Sequence, residues 1–153
     1  MVWASVTTCG LKTPLFFIEQ GVKVNQNVYL TILKDLVIHW AERNLGDSGV
    51  TLQQDGATSH TAKLVQSFCK DNFKGFWSKD LWPPSLPDLN PMDFGVWSLL
   101  EKKAGVVSHK NTDSLKRALL KCWEEIDPET LRPTCAQVPT RLGRVIRAKG
   151  GYF

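Results

Sequence analysis

The clearest periodicity of apolar and polar positions runs through residues 25–45, NQNVYLTILKDLVIHWAERNL. Val28, Ile32, Leu36 and Trp40 recur there at four-residue intervals, with Leu33 and Val37 beside them. That spacing predicts a strongly amphipathic helix, with Asn25 or Asn27 as its N-cap. Upstream, MVWASVTT (1–8) and PLFFI (14–18) are short runs of strand-forming residues. The Cys9–Gly10–Leu11–Lys12 turn between them predicts a hairpin. GDSG (46–49) breaks the pattern, and VTLQQ (50–54) follows as a third strand.

A second helix is expected over TSHTAKLVQSFCKDNF (58–73), where Ala62, Val65, Phe68/Cys69 and Phe73 keep a helical period and Thr58 or Ser59 caps the start. GFWSKDLW (75–82) reads as a short strand, and PPSLPDLNP (83–91) as a stiff turn. Asn90 followed by Pro91 is a helix-start signature, Asn at N-cap and Pro at N1. It opens MDFGVWSLLEKKA (92–104), with Phe94, Trp97 and Leu100 on one side. Two further helices are expected at 111–126 and about 128–148. The order strand–strand–helix–strand–helix–strand–helix argues for an α/β fold, a mixed sheet flanked by helices. No repeat or linker interrupts it.

Composition narrows this picture. A chain of 153 residues with 42% hydrophobic content suits one globular core, so residues 1–153 are expected to form a single domain. A net charge of +4 is compatible with a polyanionic partner without demonstrating one. Its distribution is more informative. From Arg132 to Lys149 the basic residues Arg132, Arg141, Arg144, Arg147 and Lys149 occur with no acidic one, in the basic helical segment expected at about 128–149. Arg141, Arg144 and Arg147, at i, i+3, i+6 spacing, form either a binding stripe or an ordinary solvated face. Cysteines at 9, 69, 122 and 135 form no CxxC pair and have no nearby histidine to complete a zinc set. With no signal peptide and no long apolar run, an intracellular protein with reduced thiols and no membrane association is expected. The chain begins at once with strand-type residues, which hints at a segment missing upstream.

Candidate chemistry centres on two aspartates. Asp55 follows a predicted strand and precedes a helix start, the place where sites gather in open α/β sheets and where the helix dipole favours negative charge. A local turn or cap is the alternative role. Asp93 stands at N3 of the helix opened by Asn90–Pro91, where capping is again the alternative. Together the two could converge on a hard cation such as magnesium. Two such ions about 3.5–4 Å apart would serve in-line phosphoryl transfer, although two carboxylates are a thin ligand set and a third acid is wanted. His60, five residues after Asp55, is a candidate for touching a phosphate or ordering the site, against a plain surface role. Trp82, beside Pro83 and Pro84, is the best of the six tryptophans for stacking on a base, against simple packing. Asp88 is expected to fix its turn through its side chain.

QQDGATSHTA followed by WPPSLPDLNPMDFGVW resembles the two downstream motifs of the mariner-type DDE/DDD transposases. The resemblance extends over essentially the whole chain, from MVWASVT and KTPLFFIEQGVKVNQNVYL to the closing RVIRAKGGYF. It implies an RNase H-like catalytic domain and metal-dependent DNA strand cleavage and transfer, with Mg²⁺ or Mn²⁺ as cofactor, DNA as partner and a nuclear location. Asp55 then matches the second catalytic carboxylate and Asp93 the third, with 37 residues between them (93 − 55 − 1). His60 matches the family histidine, and Pro87, Asp88, Asn90 and Pro91 its loop.

The family's first aspartate sits on a central strand that would lie between the hairpin and the Asp55 strand. That strand and the N-terminal DNA-binding region are expected to be missing here, and Glu19 and Asp35 are poor substitutes. The resemblance therefore implies a partial domain with weakened metal binding and little or no activity alone. A non-catalytic nucleic-acid-binding module, or an interaction remnant pairing through an open sheet edge, is the alternative, and a homodimer stays open.

Overall fold

The computed structural model describes residues 1–46, 49–82 and 86–149. Two compact units emerge, one formed by Met1–Ile18 with the chain from Pro87 onward, the other by Glu19–Leu86.

In the first unit, β1 (Val2–Trp3) and β2 (Phe16–Phe17) pair antiparallel, with Val2 opposite Phe17 and Trp3 opposite Phe16. The expected hairpin is present, extended by a Val6–Lys12 bridge. Gly10 turns its tip at φ +89°, and a Cβ there would lie 2.8 Å from that of Pro128. Both the left-handed backbone and the close approach require glycine. The Asp93 helix starts with a wide i→i+5 stretch, Met92–Val96, before α5 (Trp97–Ala104). Its buried line is therefore Met92, Val96, Leu100 and Ala104 at four-residue steps, not the expected Phe94–Trp97–Leu100 face.

α6 (Thr112–Glu124) begins with a capping box between Asn111 and Ser114. α7 (Pro128–Ala136) is capped by Asp127. α8 (Val138–Arg147) is a separate helix, so the single helix expected at 128–148 is divided at Gln137. Pro139 accounts for the break, since it lacks an N–H and its ring would meet the carbonyl one turn back. Ala4, Leu15, Met92, Val96, Leu100, Trp123, Ile126 and Leu131 form this unit's core. Lys12 Nζ closes the end of α6 by donating to the carbonyls of Trp123, Glu124 and Ile126.

In the second unit, α1 (Gln26–Ile32), a wide-turn stretch Leu33–Ile38 and α2 (His39–Leu45) form one continuous helical run. Asn25 is the N-cap, accepting from the backbone N–H of Asn27 and Val28. Tyr29, Leu30, Ile32, Leu33 and Val37 are its buried residues. Val28, Leu36 and Trp40 lie at the margin. β3 (Thr51–Leu52) and β4 (Gly75–Phe76) pair parallel, Thr51 with Gly75 and Leu52 with Phe76.

The helix expected over 58–73 is interrupted. α3 (Thr58–Thr61) and α4 (Lys63–Asn72) are separated by Ala62 in an extended conformation, and neither Thr58 nor Ser59 is a cap. The His60 carbonyl, which a continuous helix would offer to Leu64, instead accepts from the side-chain amides of Gln54 (3.1 Å) and Gln66 (2.9 Å).

Among the described residues the strands form two separate two-stranded ladders rather than one mixed sheet. Among these, no strand pairs with both. Each ladder is short because a strand with one partner has half the hydrogen bonds to hold its pleat. The expected proline-rich turn falls partly on residues 83–85, and the closing motif partly on 150–153; those positions lie outside the described residues.

Candidate functional site

Asp55 leaves β3 by way of Gln53 and Gln54 and turns into α3. Its Oδ1 accepts from the backbone N–H of Ala57 (3.0 Å) and from His60 Nδ1 (2.6 Å). An ionised carboxylate only accepts, so the His60 tautomer at this contact carries its proton on Nδ1. Donation by His60 holds the Asp55 carboxyl below its ordinary value, against the opposing effect of burial and with help from the Ala57 N–H. The Asp55 side chain stays 44% exposed, while that of His60 is 15% exposed.

His60 is itself fixed. Its ring lies against Tyr29, centroids 4.0 Å apart. Tyr29 Oη donates to Gln54 Oε1 (2.8 Å), and Gln54 donates back to the His60 carbonyl. The imidazole is thus occupied in ordering Asp55, one of the two roles expected of it. Tyr29, Gln54 and Gln66 were not singled out from sequence. Tyr29 sits one position off the noted apolar line, and the glutamines carry no local signal.

A pH dependence follows from this geometry. Asp55 binds its proton less readily folded than unfolded, so the stability it contributes is present above about pH 4 and is lost as pH falls through the lowered folded value. Between pH 7 and pH about 2.5 the urea midpoint of the native chain should therefore fall further than that of His60→Ala. Equal acid losses in the two proteins would contradict this origin.

Asp93 lies in the other unit, in the first turn of its helix. Asn90 caps that turn by accepting from Met92 N–H (3.1 Å) and donates its amide to Asp93 Oδ2 (2.8 Å). The Asn90–Pro91 helix start is as expected, and Asp93 receives the Asn90 side chain. Asp88 engages Arg141 through its carbonyl.

The basic segment divides by exposure. Arg144, Arg147 and Lys149 are exposed. Arg141 is turned inward, its guanidinium 3.9 Å over the Phe94 ring, with Nη1 donating to the Asp88 carbonyl (3.2 Å). Trp82 is packed within its own unit. It is 6% exposed and stacked on Trp77 at 5.1 Å, which leaves Trp77 the more open ring. Among the described residues, no three His, Cys, Asp or Glu side chains are grouped to hold a metal ion. The described residues therefore group no complete donor set for a divalent metal. Nor is any helix among the described residues long and apolar enough to cross a membrane.

No protein-family model matches the chain. It is 29% identical over 150 residues to the Tc1 transposase of Caenorhabditis elegans, spanning 98% of this chain and 52% of that protein. To the Tcb1 transposase of Caenorhabditis briggsae it is 31% identical over 127 residues, 83% of this chain and 45% of that protein. The chain thus spans about half the length of the curated relatives it matches. The catalytic domain of Mos1 mariner transposase superposes with a TM-score of 0.83 at 21% identity, over 99% of this chain and 74% of that one. The Mos1 mariner paired end complex with Mn gives 0.83 at 22%, over 99% and 44%. The expected RNase H-like fold is therefore the fold of this chain.

Proposed function

The chain is a homologue of the Tc1/mariner transposases, and from that premise we propose that it is a transposase catalytic-domain segment acting on DNA in the nucleus. In this reading it supplies Asp55 and Asp93 as the second and third carboxylates of strand cleavage and transfer. The observation that carries the reading is Asp55 itself. An accessible carboxylate, fixed by His60 and the Ala57 N–H at the end of β3, occupies the motif position where the family resemblance puts a catalytic acid. Arg144, Arg147 and Lys149 offer exposed positive charge for phosphates. Mos1 structures hold Mg or Mn. Divalent-metal binding by this chain is weak in our reading, because no full donor set is grouped among the described residues. The same incompleteness favours a second reading, a DNA-binding module without catalysis.

Fluorescence anisotropy with a labelled duplex tests the shared part of both readings. Affinity should fall steeply with salt, and Arg144→Ala or Arg147→Ala should each flatten the log–log slope by about 0.9. No binding even at low salt would remove DNA as the partner.

A further inference from the structure

Arg141 combines contacts that a surface phosphate ligand does not have. Its guanidinium carbon lies 3.9 Å from the centroid of Phe94, the residue after Asp93. Nη1 donates to the carbonyl of Asp88 in the short helical turn Pro87–Leu89, and Nη2 reaches Gln137 Oε1 at 3.5 Å. Nε is buried with no partner among the described residues. The helical spacing explains why this arginine alone turns in. Positions i, i+3 and i+6 spread over roughly 120° of helix arc, so Arg141 stands at the inner edge of the stripe while Arg144 and Arg147 face outward.

We propose that Arg141 is a positioning residue for Asp93: it pins the Pro87–Leu89 turn and the first turn of the Asp93 helix to α8, and does not itself hold DNA. One planar cation joins three places at once. It covers the Phe94 face, takes the Asp88 carbonyl and braces against Gln137 at the N-terminal cap of α8. Leu89 is fully buried beneath this turn, so the Asp88 carbonyl is fixed relative to Asn90, which caps the helix and donates to Asp93. Lysine cannot replace this arrangement. A single ammonium can stack or donate at one place but lacks the rigid fork. The consequence for catalysis rests on the transposase reading above; the geometry does not.

The test uses the full chain and two readouts. Hydrogen exchange over peptides spanning 87–94 should speed up by about ten-fold in Arg141→Met, the size expected on losing a hydrogen bond from a charged donor. Exchange over 112–124 should be unchanged. Arg141→Lys should fail to restore protection. In the salt titration of duplex binding, Arg141→Met should leave the slope unchanged, whereas Arg144→Ala flattens it. Unchanged exchange over 87–94 would overturn the proposal. So would global unfolding of Arg141→Met, or a slope reduced by about 0.9 and restored by Arg141→Lys. If the chain binds no DNA at all, the transposase reading fails while the exchange result still decides the role of Arg141.

Discussion

Trp123→Ala should lower the free energy of unfolding by about 3–5 kcal/mol, the range for truncating a core aromatic side chain. Trp123 is 3% exposed and meets residues from the hairpin, the Asp93 helix and α7 in one core. Its Nε1 donates to the Thr13 carbonyl at 2.8 Å, so truncation also orphans a buried acceptor. Lys12 lies over the ring and donates to the adjoining carbonyls, and Trp97 stacks at 6.4 Å, so neither neighbour is free to fill the space. Trp123→Phe keeps most of the volume and loses the N–H, and should cost about 1–3 kcal/mol. Urea titration followed by circular dichroism measures both. A loss below about 1 kcal/mol for Trp123→Ala would mean that the site collapses around the void.

Trp123 also shows which parts of this molecule its sequence reveals. The helices at 25–45 and 111–126 are legible because one apolar face repeats for several turns and a capping Asn precedes each. The hairpin is legible because its turn residues are local. Asp55 and Asp93 are legible through their motifs and their places at element ends. What fixes them is not. His60 lies five residues from Asp55, but its orientation depends on Tyr29 in α1 and on Gln54 and Gln66 bonding one carbonyl. Periodicity encodes which residues share a face, not which amide side chain competes with a helical hydrogen bond. The break at Ala62 arises from that competition. The break at Gln137 was readable from Pro139. Strand length was unreadable for another reason: a ladder is only as long as its partners allow, and among the described residues each strand has a single partner.

Incubated with supercoiled DNA and Mg²⁺ or Mn²⁺, the chain alone should cut at a rate at least about 10³-fold below that of a site with its full donor set, because Lewis-acid stabilisation of the transferring phosphoryl group is worth several kcal/mol. Magnesium demands near-octahedral oxygen coordination from carboxylates, waters and phosphates. Among the described residues, no three His, Cys, Asp or Glu side chains are grouped to provide it. Asp55→Asn should therefore leave the background nicking rate where it was. The amide can still accept from the Ala57 N–H, so the fold should survive. The double variant with Asp93→Asn raises the formal charge from +4 to +6 (4 + 2), and duplex affinity at low salt should rise with it. Nicking well above background that disappears in Asp55→Asn would defeat this expectation, since the metal site would then be completed by Asp55 together with further donors. Loss of duplex binding in the double variant would count against it as well, because the aspartates would then hold DNA rather than repel it.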